Sequence, residues 1–179
     1  VFHNLGSIYD DLGESAKAIQ YLQNALKIRE EIGEKSQQAV TLVNLGEIFK
    51  ETGKPQEALK NMSQALTIFT ELGNEINQAT CYNNLGGIYE DLDDLQKAAE
   101  SYSKSLELNR KFGHRLNESA NLKNLAVLSI KFGELPKALE FQAKNLDLIE
   151  DFRTKLSQQD LQVKFFASRQ NDYELYIDL

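Results

Sequence analysis

The sequence predicts an all-α fold in which helical hairpins stack in a row, and two observations support this. One stretch recurs four times at a spacing of forty residues: NLGSIYDDLGE from residue 4, NLGEIFKETGK from 44, NLGGIYEDLDD from 84 and, in weaker form, NLAVLSIKFGE from 124. Apolar residues within each block recur every three or four positions, as on one face of a helix. A single hairpin cannot bury such a face, so neighbouring hairpins must stack to complete the core.

The second block, residues 41–80, shows both helices of one hairpin. In its first half an apolar stripe is formed by Leu42, Leu45, Ile48 and Phe49, and PQEALKNMSQALTIFTELG carries a second stripe. Between them, Gly53 suits the left-handed residue that follows a helix, and Pro55 suits the first turn of the next helix. Gly73 is expected to end the second helix in the same way.

Small residues recur where the two helices of a hairpin must approach closely. One position of the first helix is occupied by Gly6, Gly46, Gly86 and Ala126, and one position of the second by Ala18, Ala58, Ala98 and Ala138. A glycine within a helix costs about 1 kcal/mol relative to alanine. Its repetition in three blocks therefore predicts that the missing side chain lets the paired helix pack closely.

This pattern resembles the tetratricopeptide repeat family. The family's motif is present in the first block as Phe2, Leu5, Gly6, Tyr9, Gly13, Ala18, Leu22 and Ala25, and in the third, with Asp93 and Ser105 as departures, as Tyr82, Leu85, Gly86, Tyr89, Asp93, Ala98, Tyr102 and Ser105. The period of forty is similar to the longer-helix variant of kinesin light chains and many bacterial repeat proteins. The resemblance implies a right-handed superhelix of four units, residues 1–33, 34–73, 74–113 and 114–152.

The tail, residues 153–179, lacks the repeat's signals. Its apolar spacing remains helical, and we expect a terminal helix that covers the end of the stack. The runs RTKLS, FFAS and YELYIDL also resemble the segment that precedes CHAT, a caspase-like peptidase domain, in bacterial and often cyanobacterial repeat proteins. That resemblance implies a regulatory arm of a larger effector. Because the sequence starts inside a repeat and without methionine, we interpret it as part of a longer protein.

Composition excludes several classes of function. The net charge of −7 is spread along the chain, whereas a nucleic-acid or anionic-membrane surface requires clustered basic residues. The single cysteine, Cys81, fits a reducing compartment such as the cytoplasm, and no histidine stands at the spacing of a catalytic base. His3 and His114 lack metal-ligand spacing, and no phosphate-binding loop is present. We therefore expect a protein without enzymatic activity, metal or cofactor.

One asparagine recurs in every block and is the main functional clue. It stands at Asn4, Asn44, Asn84 and Asn124, a position that faces the concave groove in the family the chain resembles. An exposed asparagine offers a donor and an acceptor side by side, so a ladder of four could hold a peptide backbone. The alternative is that these amides brace helix pairs or recur by duplication. Four hydrogen bonds supply about 2–6 kcal/mol, less than the roughly 8 kcal/mol that micromolar binding requires.

Selectivity must therefore come from neighbouring groove residues. The predicted groove also includes His3 and Ser7 in the first block, Val43 in the second, Gly87 in the third, Val127 and Ile130 in the fourth, and the charged or polar residues Asp10, Glu47, Lys50, Glu51, Asn83, Glu90, Asp91, Lys123 and Lys131. The first three blocks are acidic and the fourth is basic, which favours a protein or peptide ligand with basic residues. A solvated charged face is the plainer alternative. The cationic clamp by which some members of that family grip a terminal carboxylate is absent, because Thr80 and Asn84 stand in its place. Self-association through exposed repeat ends also stays open.

Overall fold

The structure is a computed structural model and describes residues 1–155 of the chain. The described part is all helix, which confirms the predicted fold class. Its helices are α1 (Phe2–Asp11), α2 (Ser15–Ile32), α3 (Lys35–Glu51), α4 (Pro55–Glu71), α5 (Glu75–Asp91), α6 (Leu95–Phe112), α7 (Arg115–Lys131) and α8 (Leu135–Lys155). The terminal helix predicted for the tail lies outside the described residues, apart from the last turn of α8.

The chain forms two compact units, with the boundary inside α6. In the first unit, Val1–Ser105, α1 packs on α2 and α3 on α4, and α2 and α4 each contact the first helix of the next hairpin. Among the first helices, α3 also contacts both α1 and α5. In the second unit, from Leu106 onward, α7 packs on α8.

The predicted turn residues end and begin helices as expected. Gly53 and Gly73 adopt φ values of 70° and 64°, a left-handed conformation that costs glycine little, and α4 begins at Pro55. Asp93 takes the corresponding position in the third block with φ 59°, so the left-handed turn is kept there by a residue with a side chain.

The helical glycines allow close packing, as predicted. An added Cβ at Gly46 would lie 3.0 Å from the terminal carbon of Met62, whereas at Gly86 it would lie 2.6 Å from Cδ1 of Tyr102. These contacts belong to a core of small and large apolar residues that alternate along the hairpins of the first unit. Its fully enclosed members include Ala39, Ala58, Met62, Ala65, Phe69, Cys81 and Ile88.

The core of the second unit contains polar side chains that the repeat argument did not predict. Ser119 Oγ donates a 2.6 Å hydrogen bond to Asn145 Oδ1, and Asn109 Nδ2 donates a 3.0 Å hydrogen bond to Asn121 Oδ1. All four residues are almost inaccessible to solvent. Their counterparts forty or eighty residues earlier include Ala39, Ala65 and Phe69, so the second unit replaces part of an apolar core with hydrogen-bonded amides and a hydroxyl.

Candidate functional site

The candidate site lies on the surface formed by the first helices of the first unit, α1, α3 and α5. We call it the first-helix face, and define it by Asn4, Asp10, Asn44, Glu47, Lys50, Glu51, Asn83, Asn84, Gly87, Glu90 and Asp91. On α3 and α5 most of these residues are three or four positions apart, and on α1 Asp10 follows Asn4 by six positions, so each helix presents them along one side. Contacts between neighbouring helices bring several of them together.

Asn84 is joined to the neighbouring first helix. Its Nδ2 donates a 2.7 Å hydrogen bond to Oε1 of Glu47 on α3. At this position the amide therefore braces two helices, which was the alternative to a ligand-binding role. An asparagine side chain has a second N–H and two acceptor lone pairs besides the one donor used in this bond. Bracing thus fixes the orientation of Asn84 without using its full hydrogen-bonding capacity.

Carboxylates from α1 and α3 are close enough to influence one another. Desolvation raises the pKa of Glu47, the hydrogen bond from Asn84 opposes that rise, and the negative charges of Glu51 and Asp10 add to it. The pKa of Asp10 is also raised, by desolvation first and then by Glu51 and Asp11. Both shifts mean that ionisation of these two carboxyl groups is less favourable in the protein than in water, and a nearby ligand cation would make it more favourable.

Lys50 is the cation of this face, and it reaches across to α5. Its Nζ lies 4.0 Å from Oδ2 of Asp91, and both side chains remain well exposed. The same Nζ lies 2.8 Å from the point where a Cβ on Gly87 would stand. Next to it, the Tyr102 hydroxyl donates a 2.8 Å hydrogen bond to Oε1 of Glu90, and desolvation by burial raises the pKa of Tyr102.

Sequence reasoning missed two parts of this arrangement. Tyr102 aligns with the core residues Leu22 and Met62, and only its hydroxyl signalled that it could also reach the polar surface. The close approach of Lys50 to Gly87 was not predicted either, although glycine at this position differs from Ser7 and Glu47, which stand there in the first two blocks.

The predicted site residues of the fourth block belong to the second unit. Lys123 and Asn124 are half-buried on α7, and Lys131, the last residue of that helix, is exposed. Asn124 keeps the register of the recurrent asparagine, forty residues after Asn84. These residues therefore form a separate group within the second unit.

The weaker candidates have structural surroundings. Cys81 is fully buried, and burial raises the pKa of its thiol to about 12, which disfavours the thiolate that a nucleophile requires. The Arg29 guanidinium lies 3.2 Å from Nδ1 of His3, and desolvation together with Arg29 lowers the pKa of that imidazole. Residues 1–155 contain no group of three side chains placed to hold a metal ion, and none of their helices is long and apolar enough to span a membrane.

Comparisons with solved structures give the same architecture. BtubC (BKLC) from P. vanneervenii aligns with a TM-score of 0.81 and 25% identity over 88% of this chain and 65% of that one. RapI in its apo form aligns with a TM-score of 0.79 and 21% identity over 96% of this chain. A Podosopora anserina putative kinesin light chain with nearly identical TPR-like repeats gives a TM-score of 0.73 and 17% identity over 97% of this chain and 89% of that one.

This chain spans 65% of the length of BtubC and 47% of that of RapI. No curated protein matches the sequence significantly. The sequence model of the tetratricopeptide repeat matches three overlapping ranges, residues 1–71, 37–111 and 77–151. Repeats of this kind are generally scaffolds for protein–protein interaction. Since the matched ranges together cover every residue from 1 to 151, the chain belongs to the tetratricopeptide repeat family.

Proposed function

We propose that this chain is a protein-interaction scaffold whose first-helix face binds a basic peptide segment of a partner protein. The observation that carries the proposal is the charge of that face. Five carboxylates, those of Asp10, Glu47, Glu51, Glu90 and Asp91, lie on α1, α3 and α5, and Lys50 is the one lysine in the defined set. The raised pKa values of Asp10 and Glu47 support the same ligand class, because a nearby ligand cation would stabilise both carboxylates.

The recurrent asparagines contribute to binding through the peptide backbone. Asn84 is held in place by Glu47, so little side-chain entropy is lost when it binds a ligand carbonyl or N–H. Asn44 is half-buried on the neighbouring helix at the same register. Each such hydrogen bond contributes about 0.5–1.5 kcal/mol, so the asparagines fix register while charge provides selectivity and speeds association.

The experiment is a titration of fluorescein-labelled decalysine, decaglutamate and a Gly-Ser decapeptide, followed by fluorescence anisotropy. We expect decalysine alone to bind, with an affinity that falls as salt rises because exposed charges are screened. Asn44→Ala/Asn84→Ala should weaken binding about tenfold, the equivalent of two hydrogen bonds. Asn24→Ala, on the exposed side of α2, is the matched control and should leave binding unchanged.

A second set of variants tests the charges separately. Asp10→Asn/Glu51→Gln should weaken decalysine binding and make it less sensitive to salt, because two carboxylates of the face are neutralised. Glu31→Gln/Glu57→Gln removes two exposed carboxylates from the second helices α2 and α4 and serves as the control matched in net charge. Equal effects of face and control variants would mean that only net charge matters, and the proposed site would then be wrong.

A second candidate function is that of a regulatory arm. The observation in its favour is the sequence of the tail, residues 153–179, with its resemblance to the segment that precedes CHAT domains. In that case the first-helix face would bind an internal segment of the same protein or support its self-assembly. The test is the gene itself: a downstream caspase-like domain with a histidine–cysteine pair would support this candidate, and a gene that ends without one would refute it.

A further inference from the structure

A notch at Gly87 is a distinctive feature of the first-helix face. Glycine here leaves a gap on the outer side of α5, where the corresponding residues of the other first helices are Ser7, Glu47 and Val127. The gap is filled from outside: the Lys50 amino nitrogen lies 2.8 Å, and its Cε 3.1 Å, from the point where a Cβ would stand. Any side chain at this position would therefore have to displace the lysine.

The surroundings of the notch suit an ammonium group. The Tyr102 hydroxyl lies 3.6 Å from the same point and donates its proton to Glu90, so its oxygen lone pairs are turned away from that bond. Asp91 provides a carboxylate 4.0 Å from the Lys50 nitrogen. The notch thus combines a phenolic oxygen and a nearby carboxylate with room for a lysine chain end, and a cation of this chemistry is already seated in it.

Lys50 is held there weakly. Its distance to Asp91 is at the outer limit for an ion pair, and the two side chains are 39% and 46% exposed. Ion pairs as exposed as this one contribute little, because water solvates both charges and salt screens them. The ammonium group of a ligand could occupy the same position at a small cost in free energy, provided that the Lys50 side chain moves into solvent.

We propose that the Gly87 notch is a lysine subsite of the first-helix face and that Lys50 occupies it as an internal competitor until a ligand lysine replaces it. This inference rests on the proposed binding of a basic segment and names where one of its lysines is seated. It also gives Lys50 a role that its charge alone does not explain, since it keeps the notch filled in the unbound protein.

The test is decalysine binding by fluorescence anisotropy to the wild-type chain, Lys50→Met, Lys60→Met and Lys50→Met/Gly87→Ala. Lys60 is an exposed lysine on α4, away from the first-helix face, so its variant controls for net charge. Methionine keeps most of the side-chain length and removes the charge. Circular dichroism would verify that each variant is folded, and alanine in place of glycine favours a helix.

We expect Lys50→Met to bind decalysine about two- to fivefold more tightly than the wild type, the range given by loss of one exposed charge contact. Lys60→Met should change affinity by less than half that factor. Adding Gly87→Ala to Lys50→Met should remove the gain, because the new methyl group fills the notch.

Two outcomes would overturn the inference while leaving the proposed function intact. One is that Lys50→Met and Lys60→Met bind decalysine equally well. The other is that Lys50→Met keeps its gain after Gly87→Ala is added. Absence of decalysine binding by every variant and by the wild type would instead refute the proposed function, and the subsite with it.

Discussion

Replacing Gly86 by alanine should destabilise the protein, although alanine is the better helix former. The added Cβ would lie 2.6 Å from Cδ1 and 2.7 Å from Cζ of Tyr102, a residue that is 4% exposed and whose aromatic ring is rigid. Overpacking of this kind costs about 1–3 kcal/mol, and a shift of the ring also weakens the hydrogen bond to Glu90, worth about 0.5–1.5 kcal/mol. Alanine recovers about 1 kcal/mol of helix propensity. The net loss should be about 0.5–3.5 kcal/mol.

Gly46→Ala is the matched control, because it stands at the same position one repeat earlier. There the nearest atom is the terminal carbon of Met62, at 3.0 Å, and a flexible methionine end can move aside. We expect this variant to be as stable as the wild type or up to about 1 kcal/mol more stable.

Urea unfolding followed by circular dichroism at 222 nm compares the midpoints of the two variants. Gly86→Ala/Tyr102→Met places alanine opposite methionine, as in the Gly46→Ala variant, and should recover most of the loss, which a double-mutant cycle would report as a coupling. If Gly86→Ala and Gly46→Ala shift the midpoint alike, the assignment of the glycine to close packing against Tyr102 is refuted.

Three further predictions concern the second unit, a turn and the first-helix face. Ser119→Ala should reduce the free energy of unfolding by about 1–3 kcal/mol, because Asn145 Oδ1 stays buried without its donor. In urea unfolding, Ser119→Ala/Asn145→Ala should be less destabilising than the sum of the two single changes, and strict additivity would contradict this. Asp93→Gly should increase the free energy of unfolding by about 0.5–1 kcal/mol and so raise the urea midpoint, because glycine adopts the left-handed φ of 59° without steric cost. A lower midpoint would show that the aspartate side chain contributes more than its backbone conformation costs. The raised pKa of Glu47 means that ionisation of this carboxyl is less favourable in the folded than in the unfolded state, so it lowers stability as the pH rises through the pKa range. Glu47→Gln, whose side-chain oxygen still accepts from Asn84, should therefore raise the urea midpoint at pH 7 and leave it unchanged at pH 3. Equal shifts at both pH values would contradict the electrostatic explanation.

The fold was predictable because the sequence repeats its own constraints. Turn positions at Gly53 and Gly73, the start of a helix at Pro55 and the close approach at Gly46 all follow from residue types whose backbone or size is restrictive. Each of these properties is local, and its recurrence at a fixed spacing supplied independent support from block to block.

The polar core of the second unit was not predicted, because a repeat implies that each block keeps the apolar core positions of the block before it. The signal was present in the sequence: Asn109, Ser119, Asn121 and Asn145 stand at positions where earlier blocks hold mostly small or apolar residues. Only side-chain geometry shows that these residues pair with one another rather than with solvent.

The candidate site was predictable as a set of positions and not as a set of contacts. Helical spacing indicates which residues share a side of α1, α3 or α5. The bond from Asn84 to Glu47 and the seat of Lys50 at Gly87 depend on the distance between neighbouring helices and on side-chain rotamers, which no periodicity encodes.

The most direct test of the central claim is to locate the bound peptide on the protein. In ¹H–¹⁵N spectra of the labelled chain, decalysine should shift the side-chain amide resonances of Asn44 and Asn84 and the backbone amides of α3 and α5 around them. Asn24 and Asn61, on the second helices, should keep their positions. Shifts confined to α2 and α4, with Asn44 and Asn84 unchanged, would contradict the account and move the binding surface to the other side of the repeats.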